Sequence, residues 1–143
     1  MSHTGHCLCG QVRFTAQAEP LGARMCWCRD CQYIASGSAT VNVLFPAEAV
    51  HYEGELGTFQ MIADSGNTVE RGFCTKCGAQ MYSRPLQPAG APIRIRSGTL
   101  DDPDLMAPTA IIWAASAPDW VELDPKLPQH AQGPDSPIIE TYS

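Results

Sequence analysis

The chain contains no apolar run near the roughly 20 residues that a membrane-spanning helix requires, so nothing in it is read as a helical membrane segment. It also lacks any Lys/Arg run, and its formal charge is −6. Such a balance repels phosphate backbones and argues against a nucleic-acid partner. The opening stretch M-S-H-T-G-H-C-L-C reaches its first cysteine without an apolar signal core. The expected address is therefore a reducing cytoplasm, where thiols stay free for metal. No internal repeat appears beyond the cysteine clusters, and no domain boundary interrupts the 143 residues. That length suits one domain with one modest core, and a hydrophobic content of 44 % is ordinary for a globular chain.

What the chain does have is cysteine. Seven fall in three tight clusters: Cys7 and Cys9 as C-L-C, then Cys26, Cys28 and Cys31 within C-W-C-R-D-C, then Cys74 and Cys77 as C-T-K-C. Disulfides fit poorly, because an odd count leaves a thiol over and cysteines one or two residues apart bond only with strain. An iron–sulfur cluster is open on thiolate count alone. Zinc fits best on ligand type and spacing. A structural zinc takes four thiolates, while a reactive one keeps three protein ligands and an open position. Seven divides as Cys7, Cys9, Cys74 and Cys77 for a closed site and Cys26, Cys28 and Cys31 for an open one. Two zinc ions are expected, the second prone to loss during purification.

The remaining pattern is short strands. Gln11–Gln17 alternates, with Val12, Phe14 and Ala16 on one face. Strands are also expected over 39–45, 55–62, 68–73, 79–83, 93–97 and 109–113, with a turn at Asp64-Ser65-Gly66-Asn67 and a Pro/Gly loop over 85–92. Leu21-Gly22 reads as a turn into the central cluster. Residues 30–35 offer one or two helical turns, capped by Asp30. Gly78, after the second cysteine of its pair, suits the positive φ that closes a zinc knuckle. The fold class is mainly β with zinc-ribbon-like knuckles and little helix. Residues 1–123 make the zinc-binding domain, and residues 124–143 a Pro-rich C-terminal tail packed on it or trailing from it.

The closed site would tie the N-terminus to a distant knuckle and is structural. The trio has no obvious fourth ligand, and an open or water-filled position is the favoured reading, although His3, His6, His51 or His130 could close it. Three thiolates on zinc leave a formal charge of −1, a poor Lewis acid suited to holding a further thiolate, whose pKa the metal lowers. A small thiol is thus the expected substrate. Arg24, Arg29, Arg71, Arg94 and Arg96 are candidates to grip its carboxylates, with Arg29 favoured for lying inside the cluster. Trp27, Tyr33, Trp113 and Trp120 are candidate pocket walls, with core packing the more common role for an aromatic.

The stretches G-H-C-L-C-G-Q-V-R-F, C-W-C-R-D-C-Q-Y-I-A-S-G-S-A and V-E-R-G-F-C-T-K-C-G-A-Q-M resemble the glutathione-dependent formaldehyde-activating enzyme family, which includes centromere protein V. The resemblance continues weakly to P-D-W near Trp120. It implies an antiparallel β-tent fold, a structural zinc on Cys7, Cys9, Cys74 and Cys77, and a second zinc on Cys26, Cys28 and Cys31 as the catalytic ligands. It also implies condensation of glutathione with formaldehyde to S-hydroxymethylglutathione, a carbon–sulfur lyase chemistry. From their place in the cluster, Arg29 and Trp27 are the residues expected beside the substrate. One departure is Trp27, where the family commonly carries His. Two other functions compete: a non-catalytic zinc domain serving as a glutathione carrier or protein-interaction module, and a thiol or metal sensor.

Overall fold

Val12, Phe14 and Ala16 are all buried, and their common face closes one side of the core. In the computed structural model, which describes residues 1–139, that strand belongs to a three-stranded antiparallel sheet. Its members are β1 (His3–His6), β2 (Arg13–Ala16) and β5 (Val50–Glu53), in the order β1-β2-β5. The second sheet has seven strands: β3 (Gly22–Cys26), β4 (Thr40–Phe45), β6 (Leu56–Ile62), β7 (Thr68–Cys74), β8 (Gln80–Pro85), β9 (Ile93–Arg96) and β10 (Ile111–Ile112). Their spatial order is β10-β3-β4-β9-β8-β7-β6. Pairing is antiparallel except between β10 and β3, which run parallel. Among the described residues one α-helix, α1 (Arg29–Ile34), follows β3. The chain is mainly β with little helix, as its short alternating segments imply. Among the described residues, no helix is long and apolar enough to cross a membrane.

The core lies between the sheets, where Val12, Phe14 and Ala16 meet Ala23, Val43, Phe45, Met81, Ile93 and Ile95. Strand geometry sends alternate side chains to opposite faces, so the I-R-I-R run of β9 buries Ile93 and Ile95 here and sends Arg94 and Arg96 the other way. That opposite face of the large sheet carries the candidate site.

Three strands went unread in the sequence. β1 and β5 are polar four-residue segments whose only signal is pairing with β2, from His3 opposite Ala16 to Arg13 opposite Glu53. β3 stands where a turn was expected to lead into the central cluster, and Cys26 is its last residue. The strand expected over 109–113 shrinks to Ile111–Ile112. Its other side is taken by the tail: Ile111 N–H donates to the Pro128 carbonyl (2.9 Å), and His130 N–H donates back to Ile111 (2.8 Å). The tail then doubles back, with His130 bridging Ile138. Asp30 does not cap the helix. Cys28 occupies the N-cap, and Asp30 sits in the first turn facing Arg71 at 3.8 Å.

Gly5 holds β1 against the large-sheet side of the molecule, bridging Leu100. A Cβ there would lie 2.2 Å from the Thr99 carbonyl oxygen and 2.3 Å from the Phe14 ring. Gly5→Ala is expected to destabilise the fold by roughly 1–3 kcal/mol through overpacking, read as a lowered thermal midpoint. An unchanged midpoint would mean the two sheets are not wedged together at this residue.

Candidate metal centre

The first sulfur group is assembled by two tight turns. After β1, Cys7 N–H donates to the Val12 carbonyl (2.9 Å), and Gly10 N–H donates to the Cys7 carbonyl (3.1 Å). After β7, Gly78 N–H donates to the Cys74 carbonyl (2.9 Å). Gly10 (φ +82°) and Gly78 (φ +77°) each follow the second cysteine of a pair and take the left-handed backbone that side chains resist. Backbone amides then point at sulfur: Val12 N–H at Cys7 (3.2 Å), Lys76 and Cys77 N–H at Cys74 (both 3.4 Å). Such donors stabilise thiolates.

The four ligand atoms of Cys7, Cys9, Cys74 and Cys77 all lie within 4.8 Å of one another. Cys7 and Cys9 Sγ are 3.6 Å apart, and Cys9 and Cys74 Sγ are 3.8 Å apart. A tetrahedral zinc with Zn–S bonds of about 2.3 Å would space its sulfurs about 3.8 Å apart. The group fits a metal of that kind without rearrangement. All seven cysteines are free thiols.

The second group forms where β3 hands over to α1. Cys26 ends the strand, Cys28 caps the helix with its sulfur accepting from Cys31 N–H (3.3 Å), and Cys31 follows one turn later. Their sulfurs also lie within 4.8 Å of one another, and all three residues are buried. Among the described residues, no His, Asp, Glu or further Cys joins them. His3 lies beside Glu19, His6 beside Asp101, and His130 Nδ1 is bonded to the Ser136 carbonyl; His51 sits on β5 in the other sheet. The sulfurs are too crowded to ionise together. Hydrogen bonds from Cys26 and Cys28 hold the Cys31 thiol down at about 2, with help from Thr40 and the Arg96 charge. The same sharing with Cys28 and Cys31, reinforced by burial, pushes Cys26 far up. A bound cation would relieve that crowding, and both sulfur groups can hold a metal ion.

The trio opens into a cavity of about 220 Å³ whose walls include Arg24, Arg71, Arg94 and Arg96. The register explains the convergence. Arg24 pairs with Asn42, Asn42 with Arg96, and Ser83 with both Arg71 and Arg94, so all stand on the face opposite the core. Among the described residues, Arg24, Arg94 and Arg96 have no carboxylate within 4 Å, and Arg71 has only Asp30 at 3.8 Å. Arg71 Nε and Nη1 and Arg96 Nε are buried without a hydrogen-bond partner. Burial lowers Arg24, Arg94 and Arg96 from their ordinary values, though guanidinium stays charged at neutral pH. Arg71 and Arg96 are buried and Arg24 and Arg94 half-buried, and cations so placed fit an anionic guest.

Arg29 and Trp27, expected beside the substrate, do not line this cavity. Arg29 begins α1 on its exposed side, bonded to Gln32 and stacked 5.2 Å over the Tyr33 ring. Trp27 is buried against Ala39, Ile111 and Ala114, because the backbone that turns Cys26 and Cys28 into the cavity turns the residue between them away. Trp27 therefore packs beneath the site rather than lining it. Of the other aromatics, Trp113 lines the cavity, while Tyr33 and Trp120 are exposed. Thr40 and Asn42 were not singled out in the sequence; their only signal is a place on the strand paired with Cys26. Gly133 and Pro134 from the tail, and Ala63, Asp64, Ser65 and Asn67 at the turn after β6, also line the cavity.

The two sulfur groups should separate on mutation. A Cys26→Ser/Cys28→Ser/Cys31→Ser variant is expected to keep its thermal transition and lose one metal ion per chain by elemental analysis. Cys74→Ser, at a fully buried sulfur joining segments 65 residues apart, is expected to abolish cooperative folding. Loss of both ions from the triple variant with its fold intact would refute the division.

No curated protein gives a significant match to the chain. A family model described as glutathione-dependent formaldehyde-activating enzyme matches residues 2–116. That span contains both sulfur groups and all four cavity arginines, and with it the chain belongs to the glutathione-dependent formaldehyde-activating enzyme family.

Proposed function

We propose that the protein is a zinc-dependent enzyme of the carbon–sulfur lyase type, forming or cleaving S-hydroxymethylglutathione. The observation that carries this reading is the meeting of a three-sulfur group with four arginines in one cavity, where Asp64 is the one acidic residue of the lining. Zinc held by Cys26, Cys28 and Cys31 would supply the charge that keeps a coordinating thiol ionised at neutral pH. The chain's own residues do the rest. Arg24 and Arg94 stand where they can grip carboxylates of glutathione as bidentate partners, orienting its sulfur toward the trio. In the forward direction that sulfur adds to the carbonyl carbon of formaldehyde. A C–S bond forms, the C=O π pair moves to oxygen, and oxygen takes up the proton that the thiol gave away. Cleavage is the reverse. A reducing compartment such as the cytoplasm would keep the thiols free for metal.

Formation of S-hydroxymethylglutathione is also an uncatalysed reaction, so the test is acceleration over buffer. Wild-type protein is expected to accelerate it, and Cys28→Ala to abolish the acceleration. Arg94→Met is expected to raise KM for glutathione about tenfold, the loss of one charged hydrogen-bonded contact, with a smaller effect on kcat. Saturable glutathione binding without acceleration would make the protein a carrier instead.

A further inference from the structure

We infer that Thr40, Asn42 and Arg96 form a one-way hydrogen-bond relay into the Cys31 sulfur, weakening that thiolate so that the trio's metal accepts a further anionic thiol. The inference rests on the metal and thiol reading above and adds three positioning residues to it. Thr40 Oγ1 lies 3.1 Å from Cys31 Sγ, Asn42 Nδ2 lies 2.9 Å from Thr40 Oγ1, and Arg96 Nη1 lies 2.6 Å from Asn42 Oδ1.

The direction of the relay follows from the donor inventory. A guanidinium has donors only, so Asn42 Oδ1 must accept from Arg96. That fixes the amide, leaving its NH₂ to face Thr40. The Thr40 oxygen is then an acceptor from Asn42, and its single proton is left for sulfur. Every donor points from the arginine toward Cys31. Thr40, Asn42 and Arg96 are all buried, at 4 %, 3 % and 8 % exposure, and the low dielectric around them strengthens each bond. The sheet holds the geometry, since Thr40 is opposite Cys26 and Asn42 opposite Arg96.

The three sulfurs are thereby unequal. Cys31 receives a hydroxyl donor backed by a guanidinium, and Cys28 receives one backbone N–H at 3.3 Å. Cys26 receives none from the described residues. A divalent ion on three thiolates carries a formal charge of −1, and a fourth thiolate would bring it to −2. Drawing electron density off Cys31, with the Arg96 charge behind it, offsets that accumulation. Outer partners of this kind tune ligands as well as orient them.

The test uses cadmium-113 in the full chain, where each sulfur group gives its own NMR resonance and the four-cysteine signal reports that the fold is intact. Thr40→Val removes the donor at nearly constant volume, while Thr40→Ser keeps it. Asn42→Asp reverses the relay: a carboxylate accepts from both Arg96 and Thr40, so the hydroxyl proton leaves Cys31. Thr40→Val and Asn42→Asp are expected to move the trio resonance in the same sense, with the four-cysteine resonance fixed and Thr40→Ser close to wild type. Titration with glutathione, followed on the trio resonance, should show affinity weakened about tenfold in both shifted variants, the usual scale for a hydrogen bond to a charged group. Two resonances in the wild type test the metal reading separately. A trio resonance unmoved in Thr40→Val and Asn42→Asp, or moved equally in Thr40→Ser, overturns the relay.

Discussion

Most of this structure follows from the demand that one sheet serve two incompatible environments. The seven-stranded sheet must present an apolar face to β2 and a charged face to the sulfur trio, and the two-residue period of a strand is the means. Ala23, Val43, Phe45, Ile93 and Ile95 go one way, while Arg24, Cys26, Thr40, Asn42, Arg94 and Arg96 go the other. A one-residue slip in β9 would exchange isoleucines for arginines in the core, an error costing many kcal/mol, so the register of the site is set by the packing behind it. The cavity inherits its precision from the core.

The two sulfur groups divide the remaining work by their connectivity. Cys7 and Cys9 meet Cys74 and Cys77 across a long stretch of chain, and holding those segments together opposes a large loss of chain freedom. A metal there acts on folding. Cys26, Cys28 and Cys31 span six residues, and the strand-to-helix corner brings them together by local geometry alone. A metal there contributes little to closure and is available for chemistry. The cap supplied by the Cys28 sulfur makes the same atom serve the helix and the site.

This logic was partly legible in the sequence. The division of seven cysteines could be read because ligand spacing within each cluster is a local property, and the alternation of β2, β4 and β9 could be read because hydrophobic period is local too. What could not be read was anything set by pairing. β3 has the sequence G-A-R-M-C, with too little alternation to announce a strand, and only its place between β4 and β10 makes it one. Arg29 looked closest to the site because it is adjacent in sequence, yet a helix start turns it to solvent. Arg94 and Arg96 are nearly seventy residues beyond the trio and reach it across a strand. Thr40 and Asn42 carry no motif, and their importance lies in the direction of hydrogen bonds that only the assembled sheet defines.

Net charge misleads in the same way. The chain carries −6 overall, yet four of its nine basic residues line one cavity, against Asp64 as its one acidic lining residue and Asp30 beside Arg71. A small anion that enters the cavity meets arginines across low-dielectric walls, where field lines concentrate and salt screens least. The tail adds to this lining. It lies beyond the family match, packs along β10, and sets Gly133 and Pro134 in the cavity wall, backbone and ring without a charge of their own. Charge and shape of the cavity are therefore set by different parts of the molecule: the strands of the large sheet supply the four arginines, and the tail supplies an uncharged stretch of wall.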